Sequence, residues 1–232
     1  MSKRLGKPNR SAVFTDLGRM EYRQALDLQM GILRSKMMNP DLDDRILFAE
    51  HPAVYTLGNR GGKENLIVSK QFLESKNIDF IQTDRGGNIT YHGLGQAVLY
   101  PIVHLEKNSI RVKDFVYGLE EIMKRTAQKC GVNADRNNLN HGLWVKNAKI
   151  GSVGISIKKG VSFHGLALNI HLDLTPFSWI NPCGLTNVAV TSIKNEIETQ
   201  KKHPKFLSGI SMRQIKEMFI QNFADIFNYS IK

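Results

Sequence analysis

Lys149-Ile-Gly-Ser-Val-Gly-Ile-Ser-Ile157 and Val161-Ser-Phe-His-Gly-Leu-Ala-Leu-Asn-Ile170 are two neighbouring apolar runs, each interrupted by glycine. They read as strands whose glycines leave room for a backbone or a ligand to come close. Both lie inside the stretch His141–Ser192, which also holds the two side chains best suited to chemistry. Lys149 opens the first run, and Cys183 stands in Asn181-Pro-Cys-Gly184. Pro182 fixes the chain before the cysteine and Gly184 frees the backbone after it, so the thiol is held on a turn. A thiolate is the competent nucleophile, and a nearby ammonium lowers a thiol pKa towards neutrality. Such a pair, bracketing a narrow cleft, suits acyl chemistry. On spacing alone the plainer reading stays open: a small buried cysteine and a solvated lysine at a strand end.

Three segments change that balance. The first is Arg85-Gly-Gly-Asn-Ile-Thr-Tyr-His-Gly-Leu-Gly-Gln96, the second Lys149-Ile-Gly-Ser-Val-Gly154, and the third joins Ser162-Phe-His-Gly-Leu-Ala-Leu-Asn169 to Pro182-Cys-Gly184 and Val190-Thr-Ser-Ile193. In this order and spacing, over most of residues 46–193, the chain resembles the octanoyltransferase family of lipoate biosynthesis. Leu94 departs from the family's His-Gly-Pro-Gly-Gln, which bears on the rigidity of that turn. The resemblance implies the biotin and lipoate ligase superfamily fold: one α/β (α+β) domain with a mixed or largely antiparallel sheet flanked by helices. Periodicity alone gives only an unspecified α/β or α+β class.

Composition sets the outer limits. A chain of 232 residues with 41% apolar and 23% charged content is ordinary for a globular protein with a sizeable core. No apolar run reaches the ~20 residues of a membrane span, and Met1-Ser-Lys-Arg-Leu-Gly-Lys-Pro-Asn-Arg10 lacks the apolar core of a signal peptide. A cytoplasmic protein is expected, with Cys130 and Cys183 both as thiols. The net charge of +11 favours acidic partners. Its lysines and arginines are dispersed and accompany no nucleic-acid-binding motif, so neither nucleic acid nor membrane is expected as a partner.

Residues 1–14 read as a loose basic arm or a short edge strand, and 15–232 as a single catalytic domain. A helix is predicted from Gly18 to about Met38, ended by Pro40, then a strand over 45–58 broken by Pro52. Asn59-Arg-Gly-Gly-Lys63 reads as a turn, since no phosphate-loop ending follows it. A short helix near 69–76 and a strand over 78–83 deliver the chain to Arg85. A strand over 96–104 follows, then a helix over 114–130 stopped by Gly131, and a last helix over 211–228 with an aromatic stripe. Cys130, at a helix end, reads as a buried apolar residue. His141, His164 and His171 fit no zinc spacing, so no metal is expected, and His164 reads as pocket lining.

What the resemblance implies for function is specific. An octanoyl thioester on the phosphopantetheine of acyl carrier protein would pass to Cys183, and from there to a lysine of a lipoyl domain. The acceptors would be lipoyl domains of 2-oxoacid dehydrogenase complexes and the glycine cleavage H protein. Lys149 would favour the thiolate and shuttle protons. Arg85, Gly86, Gly87, Asn88, Ile89, Thr90, Tyr91 and His92, with Ser152, Val153 and Gly154 and with Gly165, Leu166 and Ala167, would line the acyl channel. A thioester is already activated, so no ATP, metal or other cofactor is expected. The rival readings are an ATP-dependent lipoate or biotin ligase on the same fold, which needs no nucleophilic thiol, and a non-catalytic binder of acylated carrier protein.

Overall fold

The computed structural model describes residues 10–138, 140–184, 188–199 and 210–232, leaving out the side chains of Lys63 and Cys183. In chain order the strands and helices begin with β1 (Arg10–Arg19), α1 (Tyr22–Met38), β2 (Asp44–Glu50), β3 (Val54–Leu57) and α2 (Lys70–Ser75). They continue with β4 (Asp79–Gln82), β5 (Ile89–His92), β6 (Gln96–Ile102), α3 (Val112–Lys129), β7 (Gly142–Val145) and β8 (Ala148–Lys158). β9 (Val161–Asn169), β10 (Ala189–Val190), α4 (Ile193–Thr199), α5 (Met212–Phe227) and β11 (Tyr229–Ile231) complete the chain.

Among the described residues the strands form two sheets. The larger has eight, in the order β10-β8-β9-β6-β2-β1-β11 with β7 on β8, and the smaller is β4-β3-β5. Both are mixed. β6, β8 and β9 pair antiparallel, as do β2 and β6, whereas β1 runs parallel to β2 and β11, and β10 parallel to β8. The expected mixed single-domain fold is therefore present, with a second sheet that the sequence did not announce. Pro52 does more than break one strand: it separates β2 in the large sheet from β3 in the small one.

Of the two readings of 1–14, the strand applies from Arg10 onward, but in the interior of the sheet and not at its edge. Arg10–Phe14 belong to β1, an interior strand held by β2 on one side and β11 on the other, and residues 1–9 lie outside the described part. The first helix accordingly starts at Tyr22, since Gly18 and Arg19 still belong to β1.

Strand alternation divides the large sheet into two faces. Ile46, Phe48, Ala97, Leu99 and Leu168 pack with Phe115, Ile122 and Met123 of α3 and Phe219 and Phe223 of α5. Leu47, Ala49, Val98, Tyr100 and Phe163 pack on the other side with Ala25 and Leu33 of α1. α5 is fixed at its start by a reciprocal capping box between Ser211 and Gln214 and at its end by Asn228 in the left-handed conformation (φ 56°). No helix among the described residues is long and apolar enough to cross a membrane.

Candidate active site

The loop between β4 and β5 bridges the two sheets. Gly86 N donates to Ile155 O of β8 (2.9 Å), and a Cβ at Gly154 would come within 3.0 Å of Gly86 O, so bare backbones meet here. Asn59 N and Arg60 N donate to the carbonyls of Arg85 (3.0 Å) and Gly87 (3.1 Å), fastening the loop to the Asn59–Gly62 turn. The Arg85 guanidinium, 8% exposed, donates to Thr56 O at 2.6 Å and Thr56 Oγ1 at 2.9 Å. Arg85 therefore ties its loop to β3 through charge-assisted hydrogen bonds.

Beneath this bridge lies a narrow cleft with a cavity volume of ≈ 50 Å³. Of the predicted channel residues, Arg85, Gly86, Gly87, Asn88, Ile89, Thr90 and His92 line it from one side, and Ser152–Gly154 with Gly165–Ala167 from the other. Tyr91 does not. Its neighbours on β5 face the cleft, so its own ring turns away and packs against Tyr55 and Phe177, with centroids 5.4 and 5.5 Å off. Tyr22, Tyr100 and Asn140 also line the cleft, and no motif marked them. Tyr22 sits on the apolar stripe of α1 and reads as packing until the structure shows its ring stacked on His92 at 5.6 Å.

The polar groups around the cleft are joined into a network. His92 Nδ1 donates to Gln96 Oε1 (2.7 Å), Gln96 Nε2 to Asn169 Oδ1 (2.9 Å), and Asn169 Nδ2 to Thr191 O (2.9 Å). Thr191 N then donates to Lys149 O (2.9 Å), so the chain of bonds ends beside the candidate lysine. Burial pushes His92 down to about 3 and His51 to about 4, and pushes Tyr22 up to about 12. At neutral pH these groups are uncharged, which suits a site for an acyl chain.

His164 lines the cleft as expected, in an unexpected conformation. It lies within β9 yet has φ 56°, the left-handed region. The β6–β9 ladder stops after Leu99↔Leu166 and resumes with His104↔Val161, and that register sets His164 opposite Pro101, which has no N–H to give. The His164 N–H donates to Gln29 Oε1 of α1 (2.9 Å). Its Nε2 meets Asp84 Oδ1 at 3.0 Å, and Asp84 Oδ2 also receives Lys158 at 2.8 Å. These two bonds hold the Asp84 carboxyl well below the usual carboxylate range, while burial lowers the pKa of His164. The imidazole is thus neutral, with its proton on Nε2.

Lys149 is not the solvated strand-end charge of the plainer reading: it is 4% exposed. The β7–β8 register shifts between Leu143 and Trp144, leaving one extra residue in β8 directly after Lys149. Such a bulge re-aims a side chain. Lys149 Nζ donates to His141 O (3.0 Å) and lies 5.2 Å from the Trp144 ring centroid. It borders a small slot with Thr90, Ser152 and Pro182, and Thr90 and Ser152 line the main cleft as well.

Cys183 occupies the 3-10 turn Pro182–Gly184, its side chain lying outside the described part. Gly184 has φ 72°, and a Cβ there would meet Asn88 Nδ2 at 2.5 Å, so the turn abuts the Arg85–His92 segment. Asn181 N donates to Asn65 O (2.8 Å) before the turn, and after it Val190 pairs with Lys149 in the β10–β8 ladder. The structure thus brings the cysteine's turn, the lysine's slot and the cleft together. Cys130 lies apart, 1% exposed in the α3 and α5 core, where burial pushes its thiol up to about 11.

The chain and its fold have counterparts among known proteins. The family model of the lipoyl protein ligase A/B catalytic domain matches residues 21–224. The octanoyltransferase of Desulfotalea psychrophila is 46% identical over 215 residues, covering 91% of this chain and 92% of that protein. A bi-partite lipoate protein ligase, from a structural analysis of the lipoylation system of Thermoplasma acidophilum with its E2 lipoyl domain, shares the fold. It has TM-score 0.63 and 15% identity, over 96% of this chain and 85% of that one. The biotin protein ligase of Aquifex aeolicus, in complex with biotin and ATP, has TM-score 0.54 and 8% identity, over 94% and 70%. The fold is that of the lipoate and biotin ligases, and the chain belongs to the lipoyl protein ligase A/B catalytic-domain family as one of its octanoyltransferases, enzymes of acyl transfer.

Proposed function

We propose that the chain moves an octanoyl group from acyl carrier protein to a lysine of a lipoyl domain, through a thioester on Cys183. The observation that carries this reading is the convergence of three parts: the Pro182–Gly184 turn against Asn88, the buried Lys149 beside Pro182, and the cleft that shares Thr90 and Ser152 with their slot. In the first step the Cys183 thiolate attacks the thioester carbonyl; a new C–S bond forms and the bond to the phosphopantetheine sulfur breaks. The Lys149 ammonium favours the attacking thiolate and protonates the departing one. In the second step the acceptor amine attacks the acyl-enzyme, a C–N bond replaces the C–S bond, and the amine's proton returns to Lys149.

The octanoyl tail would lie in the cleft among Gly86, Gly87, Gly154 and Gly165. The +11 charge favours acidic carrier and lipoyl domains as partners. Because a thioester is activated and an amide is more stable, the exchange runs without ATP or metal, and a free thiol belongs in the reducing cytoplasm. The test is intact-mass analysis after incubation with octanoyl acyl carrier protein and no ATP. One octanoyl group should add in a hydroxylamine-sensitive linkage, be lost in Cys183→Ala and persist in Cys130→Ala. Transfer that needs ATP, or that survives Cys183→Ala in full, would favour the ligase reading.

A further inference from the structure

Glu120 lies on α3 and is 5% exposed, although it is no part of the chemistry above. A buried carboxylate is costly without partners, and this one has three donors around it. Arg136 Nε donates to Oε2 at 3.0 Å, while Gly142 N donates to Oε1 at 2.9 Å and His141 Nδ1 lies 3.1 Å from the same oxygen. Arg136 is itself fixed by Glu121 (2.9 Å), by the Tyr117 carbonyl (2.9 Å) and by the Tyr117 ring 3.7 Å away. Glu120 thus anchors the His141–Gly142 turn to a rigid helix.

That turn encloses Lys149. The His141 carbonyl accepts the Lys149 ammonium at 3.0 Å. Gly142 has φ 133°, and a Cβ on it would come within 3.0 Å of Lys149 Cε and 2.3 Å of Gly151 O. The turn is therefore both the acceptor for the ammonium and the wall along its stem. We propose that Glu120 is a positioning residue for Lys149: its carboxylate fixes the His141–Gly142 turn, and the turn fixes the ammonium. This rests on the Lys149 and Cys183 reading above. A carboxylate suits the task because both oxygens accept, whereas a glutamine amide turns an NH₂ towards one of the donors.

The test is a double-mutant cycle on the full chain, with a small octanoyl thioester as donor. Wild type, Glu120→Gln, Lys149→Gln and the double variant are compared by the maximal rate of Cys183 acylation, the half-saturating donor concentration, and the pH midpoint of Cys183 alkylation. Glu120→Gln should lower the maximal rate about tenfold, since a misplacement of about 1 Å can cost ~10²-fold, with half-saturation unchanged within about twofold. Its alkylation midpoint should rise towards that of Lys149→Gln. In the Lys149→Gln background, Glu120→Gln should change neither quantity. If Glu120→Gln fails to fold, Glu120→Asp, which keeps the charge but withdraws it by one methylene, should give a smaller loss with the same background dependence. An equal loss in both backgrounds, or no loss in either, overturns the proposal. A Lys149→Gln enzyme as fast as wild type overturns the lysine reading itself, and this proposal with it.

Discussion

The two faces of the large sheet are built on different principles. Under α3 and α5 the contacts are mainly apolar, with one buried hydrogen bond from Asn222 to Thr126: Phe115, Phe219 and Phe223 are fully buried, and ring pairs such as Phe48–Phe219 (6.1 Å) and Phe223–Phe227 (4.9 Å) fill the space. Each such side chain stabilises the fold by about 1.5–3 kcal/mol through burial alone. On the α1 side, Tyr22, His51, His92, Tyr100 and His164 are equally buried but polar. His51 lies 2.7 Å from both Met20 O and Tyr100 OH, and Tyr22 crosses its ring edge-on at 5.3 Å. One face is chiefly packing, with Glu120 at its margin, and the stability it supplies permits the other to bury groups that gain little by burial.

Phe219→Ala, on the apolar face, should make the largest change: about 3–5 kcal/mol of lost stability, read from urea or thermal unfolding. The fraction that remains folded should acylate Cys183 at the wild-type rate within about twofold. A folded Phe219→Ala enzyme that is much slower would break the division between the faces.

Acid should act on the polar face. Unfolded histidine titrates near 6.5, whereas burial holds folded His92 near 3 and His51 near 4, so the unfolded chain binds protons that the native one refuses. Their contribution is complete above pH 6.5 and is lost as pH falls towards those lower values, by up to about 1.4 kcal/mol per histidine for each pH unit. Unfolding midpoints at pH 7, 6 and 5 should descend accordingly, and His92→Asn should make the descent shallower. An unchanged slope in that variant would show that His92 takes no part. The smallest effect is expected for Cys130→Ala, about 1 kcal/mol or less of stability and no change in acyl stoichiometry, because this thiol belongs to the apolar face.

The apolar face was also the legible one. The aromatic spacing of α5 and the Gly131 stop of α3 are local signals, and the elements appear where those signals put them, within a residue or two at the ends. The length and interior place of β1 were not legible: Arg10, Ser11, Thr15 and Asp16 give it no apolar run, and its pairing depends on β2 and β11, outside the segment itself. In the small sheet β3 and β4 fall within the strands read over 45–58 and 78–83, but their assembly with β5 into a sheet of their own depends on pairings between separate segments. The glycine-rich motifs did mark the cleft, because close backbone approach leaves its trace in composition. Tyr91 carries in its own strand the signal that turns it from the cleft: alternation sends it opposite to Thr90 and His92. Tyr22, Asn140 and Glu120 carry no local signal, since their meaning comes from partners on other elements.

His164 sets a limit on how the sequence can drift. Its left-handed backbone, opposite Pro101, admits glycine, asparagine or aspartate readily and opposes branched or bulky side chains by about 1–2 kcal/mol. None of the residues the backbone admits offers two ring nitrogens, one for Asp84 and one turned towards Tyr22. In a library randomised at this position, the variants that keep the fold and those that keep the site would be nearly disjoint sets. The histidine stands at their intersection, so neutral paths through sequence space close at this position even though the backbone itself would allow several.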